Sequence, residues 1–169
     1  MAATVSIVQR IGASGAPTDS TVSGATCRFS SKETLVATSA TPPITIPAAG
    51  STWSFEKWLS FRIDGTPPAD KIFNLKAYSD GNNGWTGVNL WYKNVAIAGY
   101  TQPTATVTSS NLTNFFTATA GSPVTLTTAS YSTTGTVIGG WLALSMEVLS
   151  TAGPGTLTAE TATFSYDEI

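Results

Sequence analysis

Few residues in this chain could do chemistry, and their types narrow the options before any fold is considered. There are ten Asp and Glu, eight Lys and Arg, one Cys and no His. Without His the chain lacks the commonest general base and the commonest metal ligand. Acid and base catalysis by paired carboxylates needs two of them converging in a cleft, one with a raised pKa. Here the acids are scattered, and Asp19, Asp64, Asp70 and Asp80 fall in turns or on polar strand faces. Asp167 and Glu168 are adjacent, and neighbours on a strand point to opposite faces. No Cys dyad or Gly-x-Ser-x-Gly elbow supplies a nucleophile, so no catalytic residue is assigned and the chain is read as a non-enzyme.

Cys27 cannot form an internal disulfide or a thiolate cluster, and in the run Ala25 to Ser30 it reads as a small buried apolar residue. Asp80-Gly-Asn-Asn-Gly84 offers alternating oxygens, but calcium wants six to eight, usually with a bidentate acid, and none follows at the right distance. The segment reads as a hairpin loop, with neither metal nor cofactor expected. Asn111-Leu-Thr113 matches a glycosylation acceptor, yet the N-terminus shows neither a basic region nor an apolar stretch of secretory type.

The aromatics carry the remaining binding potential. Trp85, Trp91, Tyr92 and Tyr100, on and beside an Asn-rich hairpin, could form a platform for stacking on sugars or an anchor set at a protein interface. Trp53, Trp58 and Trp141 lie in apolar runs and read as core.

The elements that must position these residues follow a period of two. In Thr52 to Ile63 the residues Trp53, Phe55, Leu59, Phe61 and Ile63 share one face, while Lys57 and Trp58 break the phase and point to a β-bulge or to a Lys on a strand face that meets a partner. Leu142, Leu144, Met146 and Val148 alternate with Ala143, Ser145 and Glu147, and Thr156 to Tyr166 alternates too. Shorter strands are expected over Thr4 to Ile11, Ala25 to Ser30, Glu33 to Ala37, Lys71 to Tyr78, Val88 to Lys93, Thr104 to Thr108 and Val124 to Thr128. Pro42-Pro43, Pro67-Pro68, Gly121-Ser-Pro123, Gly139-Gly140 and Gly153-Pro-Gly155 punctuate them. Helix is limited to one short candidate, Ser110 to Phe116, whose Leu112, Phe115 and Phe116 could seal one end of the fold. The pattern predicts an all-β fold: an antiparallel β-sandwich of jelly-roll or Greek-key type with about 8–10 strands.

Two units are expected: an N-terminal strand or arm on a Gly/Ser-rich tether over residues 1–24, and a single sandwich domain over 25–169. Val5, Ile7, Val8 and Ile11 are then candidates for a docking or exchanged strand that pairs with a neighbour's sheet edge, the alternative being an edge strand of its own domain.

Charged residues are 11% of the 169, against about 25% in an ordinary soluble domain, while 29 Thr and 19 Ser take the solvent-facing positions. The net charge of −2 and the lack of any basic run exclude a nucleic-acid backbone as partner. The most apolar window, Val137 to Leu149, contains Glu147 and is too short to span a bilayer, so no membrane association is expected. A surface built of hydroxyls is suited to crowding, which points to an assembly.

Three segments carry a family likeness: Trp53-Ser-Phe-Glu-Lys-Trp-Leu-Ser-Phe-Arg62, Asn74-Leu-Lys-Ala-Tyr-Ser-Asp-Gly81 and Ala162-Thr-Phe-Ser-Tyr-Asp-Glu-Ile169. Over about a third of the chain, the sequence resembles small β-rich virion structural proteins of tailed bacteriophages, of the type that decorate or cement the capsid. The resemblance implies synthesis in the host cytoplasm and a place on the outer capsid surface of the virion. It implies binding to the major capsid protein and to itself, commonly as a homotrimer, with neighbouring capsid subunits clamped non-covalently. Such proteins carry no short catalytic motif, so no residue role is transferred. A carbohydrate-binding or adhesive module, and a tail, head-tail joining or head-fibre protein, are the alternatives that the composition leaves open.

Overall fold

The computed structural model describes residues 3–24, 27–35, 42–64, 71–105 and 111–169. Over these residues the chain is an antiparallel β-sandwich, as the period of two predicts. Ten strands are defined: β1 (Thr4–Ile11), β2 (Thr18–Thr21), β3 (Ser51–Trp53), β4 (Lys57–Asp64), β5 (Ile72–Tyr78), β6 (Val88–Ala96), β7 (Thr113–Asn114), β8 (Val124–Thr127), β9 (Val137–Leu149) and β10 (Thr163–Glu168). The larger sheet has the order β2-β1-β4-β9-β6-β7, with β3 also on β9; the smaller is β10-β5-β8.

β9 is the spine. Its 13 residues pair with β6 along one edge and with β4 and then β3 along the other. Its even-numbered residues Leu142, Leu144, Met146 and Val148 face the smaller sheet and the main core. Trp141 and Ala143 face the other way into a second cluster with Trp58 and Tyr100.

The run Thr52 to Ile63 splits into two strands instead of one. Trp53 pairs with Glu147 but Lys57 pairs with Leu144, so three residues on one strand face two on β9. That extra residue shifts the phase. Trp53 therefore lies on the outer face with Glu147, opposite to Leu59, Phe61 and Ile63, and not beside them as simple alternation implies. Ser54 keeps the ladder intact across the break: its N–H donates to the Met146 carbonyl at 2.9 Å and its hydroxyl accepts the Met146 N–H at 3.0 Å.

A second irregularity lies opposite Ser60. Leu59 pairs with Leu142 and Phe61 with Ile138, so residues 139–141 of β9 bulge against one residue of β4. The Ser60 hydroxyl sits 2.9 Å and 2.8 Å from the Ile138 and Gly140 carbonyls. Gly139 makes the bulge possible, with φ of 81° and no room for a Cβ, which would come 2.9 Å from Leu75.

The smaller sheet covers only one end of the larger. Ile72, Leu75 and Ala77 of β5 are fully buried, and Phe164 and Tyr166 of β10 meet Phe61 edge-on at 5.5 Å and 6.4 Å between ring centroids. At the other end the core is closed by non-strand segments. Thr156 to Ala162, expected as strand, pairs with none, and Cys27 to Ser30 is likewise irregular. The short helix candidate forms β7 and a 3-10 turn at Phe115–Thr117, with Phe115 and Phe116 buried as expected of an end seal. Ala25, Thr26, Val36, Ala37, Pro67, Pro68, Asp70, Thr106 to Thr108 and Ser110 lie outside the described residues.

The N-terminal region is not an arm on a tether in this chain. β1 is sandwiched between β2 and β4, pairing with β4 from Thr4↔Asp64 to Arg10↔Trp58. Val8 is fully buried, and Val5 and Ile7 pack against the main core. The Gly/Ser-rich stretch forms the turn and return strand of a hairpin: β2 pairs back on β1, and Arg10 holds Asp19 through two 2.7 Å hydrogen bonds. A composition of small polar residues describes a tight turn as well as a linker, and the pairing decides between them.

Deleting residues 1–12 is expected to abolish the cooperative unfolding transition in urea, because it removes an interior strand. A folded monomer after that deletion would show that β1 contributes little to the domain.

Candidate functional site

The four aromatics singled out by sequence do not form a common surface. Trp91 and Tyr92 are neighbours on β6, so one faces outward opposite Ser145 and the other inward opposite Leu144. Tyr92 packs edge-on against Phe115 in the core at 5.9 Å. Trp85 also turns inward, against Phe116 at 5.8 Å. Tyr100 is buried beneath the outer face against Trp58 and Trp141, at 5.2 Å and 5.6 Å.

Tyr100 belongs to a clamp rather than to a platform. The segment Ile97 to Thr104 leaves β6 and crosses the outer face of the larger sheet. The Trp141 indole donates to the Ile97 carbonyl at 3.0 Å, the Tyr100 hydroxyl to the Gly12 carbonyl at 2.7 Å, the Gln102 amide to Glu33 at 3.0 Å, and the Glu56 N–H to the Thr104 carbonyl at 3.0 Å. The Arg10 guanidinium lies 4.7 Å from the Trp141 ring centroid and 5.4 Å from that of Tyr100. Lys93 closes the far side, 2.6 Å from the Glu56 carboxylate and 5.0 Å from the Trp58 ring. Both cations, Arg10 and Lys93, are thus paired with a carboxylate and laid on an aromatic face, which leaves them little reactivity.

Further along the same face, Trp53, Glu147 and Asn89 form a row across three strands, with Trp91 one step away. The Trp91 indole and the Asn89 amide both donate to the same Glu147 oxygen, at 2.9 Å and 3.1 Å. Trp53 was read as core from sequence. Only the bulge at Ser54 to Glu56 brings it here, and no single-strand pattern signals that.

On the inner face, Lys57 is buried beside Cys27, its ammonium donating to the Thr34 carbonyl at 2.7 Å and hydroxyl at 3.0 Å. Burial pulls the Lys57 pKa down, with Cys27 and Glu33 opposing, and pushes the Cys27 thiol up. A thiol held protonated is a poor nucleophile. The Asp80 to Gly84 loop spends its polar groups on itself: Asp80 accepts from the Asn82 N–H at 2.9 Å, and the Asn83 side chain bridges the Trp85 N–H and the Val88 carbonyl. Among the described residues no group of three His, Cys, Asp or Glu could hold a metal ion.

A large unfilled space lies between the layers where the smaller sheet ends. It measures about 990 Å³ and is partly open to solvent. Its floor is the inner face of the larger sheet, with Ile7, Leu59, Leu90, Leu144, Met146 and Val148. Phe115, Phe116, Phe164 and Trp85 form the walls. The rim is made by Val22 to Gly24, Cys27 to Phe29, Ile44, Ile46 and the non-strand segment Ala152 to Ala162. That segment is tied down by the Trp85 indole donating to the Thr158 carbonyl at 2.8 Å and the Gly84 N–H donating to Glu160 at 3.0 Å. It can lie so close only because position 87 is glycine, where a Cβ would come 2.5 Å from the Ala152 nitrogen.

Being open at its rim, the space is accessible to solvent and to a ligand of matching shape. Sequence reasoning missed it because its lining residues come from widely separated strands and look like ordinary core.

Comparison with protein-family models, curated proteins and solved structures gives no match for this chain.

Burial, and secondarily Glu33, pushes the Tyr100 phenol up to about 12 from an ordinary value near 10. Between these values the unfolded chain has lost the proton that the fold retains, so stability falls as pH rises from 10 towards 12. Tyr100→Phe is expected to lose about 1 kcal/mol at neutral pH, through the Gly12 hydrogen bond, and to flatten that alkaline decline. Urea unfolding of both proteins at pH 8 and at about pH 11 measures both effects.

Proposed function

We propose that this chain is a non-catalytic structural protein of a tailed-phage virion. It binds the outer capsid surface and clamps neighbouring capsid subunits without covalent bonds. The observation that carries the reading is the character of its surface. Ile97 and Ile169 are the only exposed large hydrophobics among the described residues, and charges are 11% of the chain. A protein finished in this way folds without an obligate partner to cover an apolar patch. It then meets other subunits through hydroxyl and main-chain groups, burying few unpaired charges.

The sheet edges support the same reading. β2 and β7 end the larger sheet, and β8 and β10 end the smaller. Among the described residues β2, β7 and β10 pair with a strand on one side only and can offer the other to a neighbouring copy or to the major capsid protein, whereas β8 spends its Thr125 carbonyl on the Asn94 amide. Several weak contacts of this kind add through effective concentration once a copy is seated, which suits a homotrimer on a shell.

The row Trp53, Asn89, Trp91 and Glu147 favours a second reading, a glycan-binding face, since two half-buried indoles flank a carboxylate and an amide.

Incubating the purified protein with tailed-phage capsids stripped of accessory proteins tests the first reading. Co-sedimentation and electron cryomicroscopy are expected to show hundreds of ordered copies on the outer shell, together with a raised temperature of capsid disruption. Protein left in the supernatant, or density confined to the tail, would overturn it. Titrating tryptophan fluorescence with oligosaccharides tests the second: a saturable change lost in Trp91→Ala would favour the glycan face.

A further inference from the structure

We propose that the cavity at the open end of the sandwich binds one long apolar chain with an anionic end, a long-chain carboxylate, whose head group is taken by Arg28. The inference is independent of the assembly role. Three observations converge on it. The first is the space itself, about 990 Å³ and partly open, in the range of pockets that enclose small organic ligands.

The second is the lining. The floor is aliphatic, from Ile7 and Leu59 across to Leu90 and Val148, and the phenyl rings present edges and faces in different directions. No flat slot of parallel rings awaits a planar ligand, and the floor offers no polar partner to a sugar. A flexible hydrocarbon is the class of ligand that gains from such a surface, because burying its methylenes needs no directional partner.

The third is the charge at the mouth. Among the described residues Arg28 and Glu160 are the only charged ones on the lining, and Glu160 is engaged with the Gly84 N–H. Arg28 is exposed and makes no ion pair among the described residues. A guanidinium on the lining meets a carboxylate in two parallel hydrogen bonds while the chain enters the apolar floor.

Calorimetric titration of the intact protein with oleate, kept below its micelle concentration, tests the proposal, with oleyl alcohol as the uncharged control. Expected are one molecule per chain, and at least tenfold weaker oleate binding in Leu90→Trp, whose indole fills the floor. If that variant loses its cooperative unfolding transition, Val148→Phe takes its place. Arg28→Gln is expected to weaken oleate about tenfold and to leave the alcohol unchanged. No saturable binding of oleate, many molecules per chain, or equal binding by wild type and the filled variant would overturn the cavity assignment. An equal effect of Arg28→Gln on acid and alcohol would overturn the head-group assignment.

Discussion

A strand with partners on both edges and side chains covered on both faces has no freedom left, and β9 meets that description along most of its length. Both faces are apolar or small between Trp141 and Met146, so each needs a cover of its own. The inner cover is the smaller sheet together with the end segments. The outer cover is Ile97 to Thr104, held at one end by Trp141 itself. The two serine-filled irregularities are adjustments to the same strand: Ser54 and Ser60 satisfy backbone groups of β9 that a regular ladder would have paired.

The two covers differ in kind. Outside, indole, phenol and guanidinium are stacked and hydrogen-bonded at fixed distances, which gives direction as well as burial. Inside, aliphatic packing is dense where the small sheet reaches and loose where it does not. A three-stranded layer cannot cover a seven-stranded one, and irregular chain fills the difference less completely. The rigid face and the open end thus follow from one inequality in strand number.

The sheet class was legible because alternation is strong where one face is buried: β1, β5, β6, β8 and β9 lie within about a residue or two of their expected positions at most ends. The phase of Trp53 was not, because a bulge moves a side chain across the sheet without altering the pattern on either side. Thr156 to Ala162 alternates Thr with Ala yet pairs with nothing, since a strand needs a partner edge as well as a propensity. Grouping Trp91 with Tyr92 on one platform fails because adjacent strand residues point to opposite faces. The clamp could not be foreseen: Tyr100 and Gly12 are 88 residues apart, and only the folded topology brings them together.

The place of β9 in the chain has a consequence for how the protein is made. β3, β4 and β6 all close on a strand that ends at Leu149, so the larger sheet has no centre until 85 residues after β4 ends at Asp64. At roughly 5–20 residues per second the nascent chain waits about 4 to 17 seconds between finishing β4 and finishing β9. During that interval the charges of β4 and β6, Lys57, Arg62, Asp64 and Lys93, are what interrupt their apolar runs.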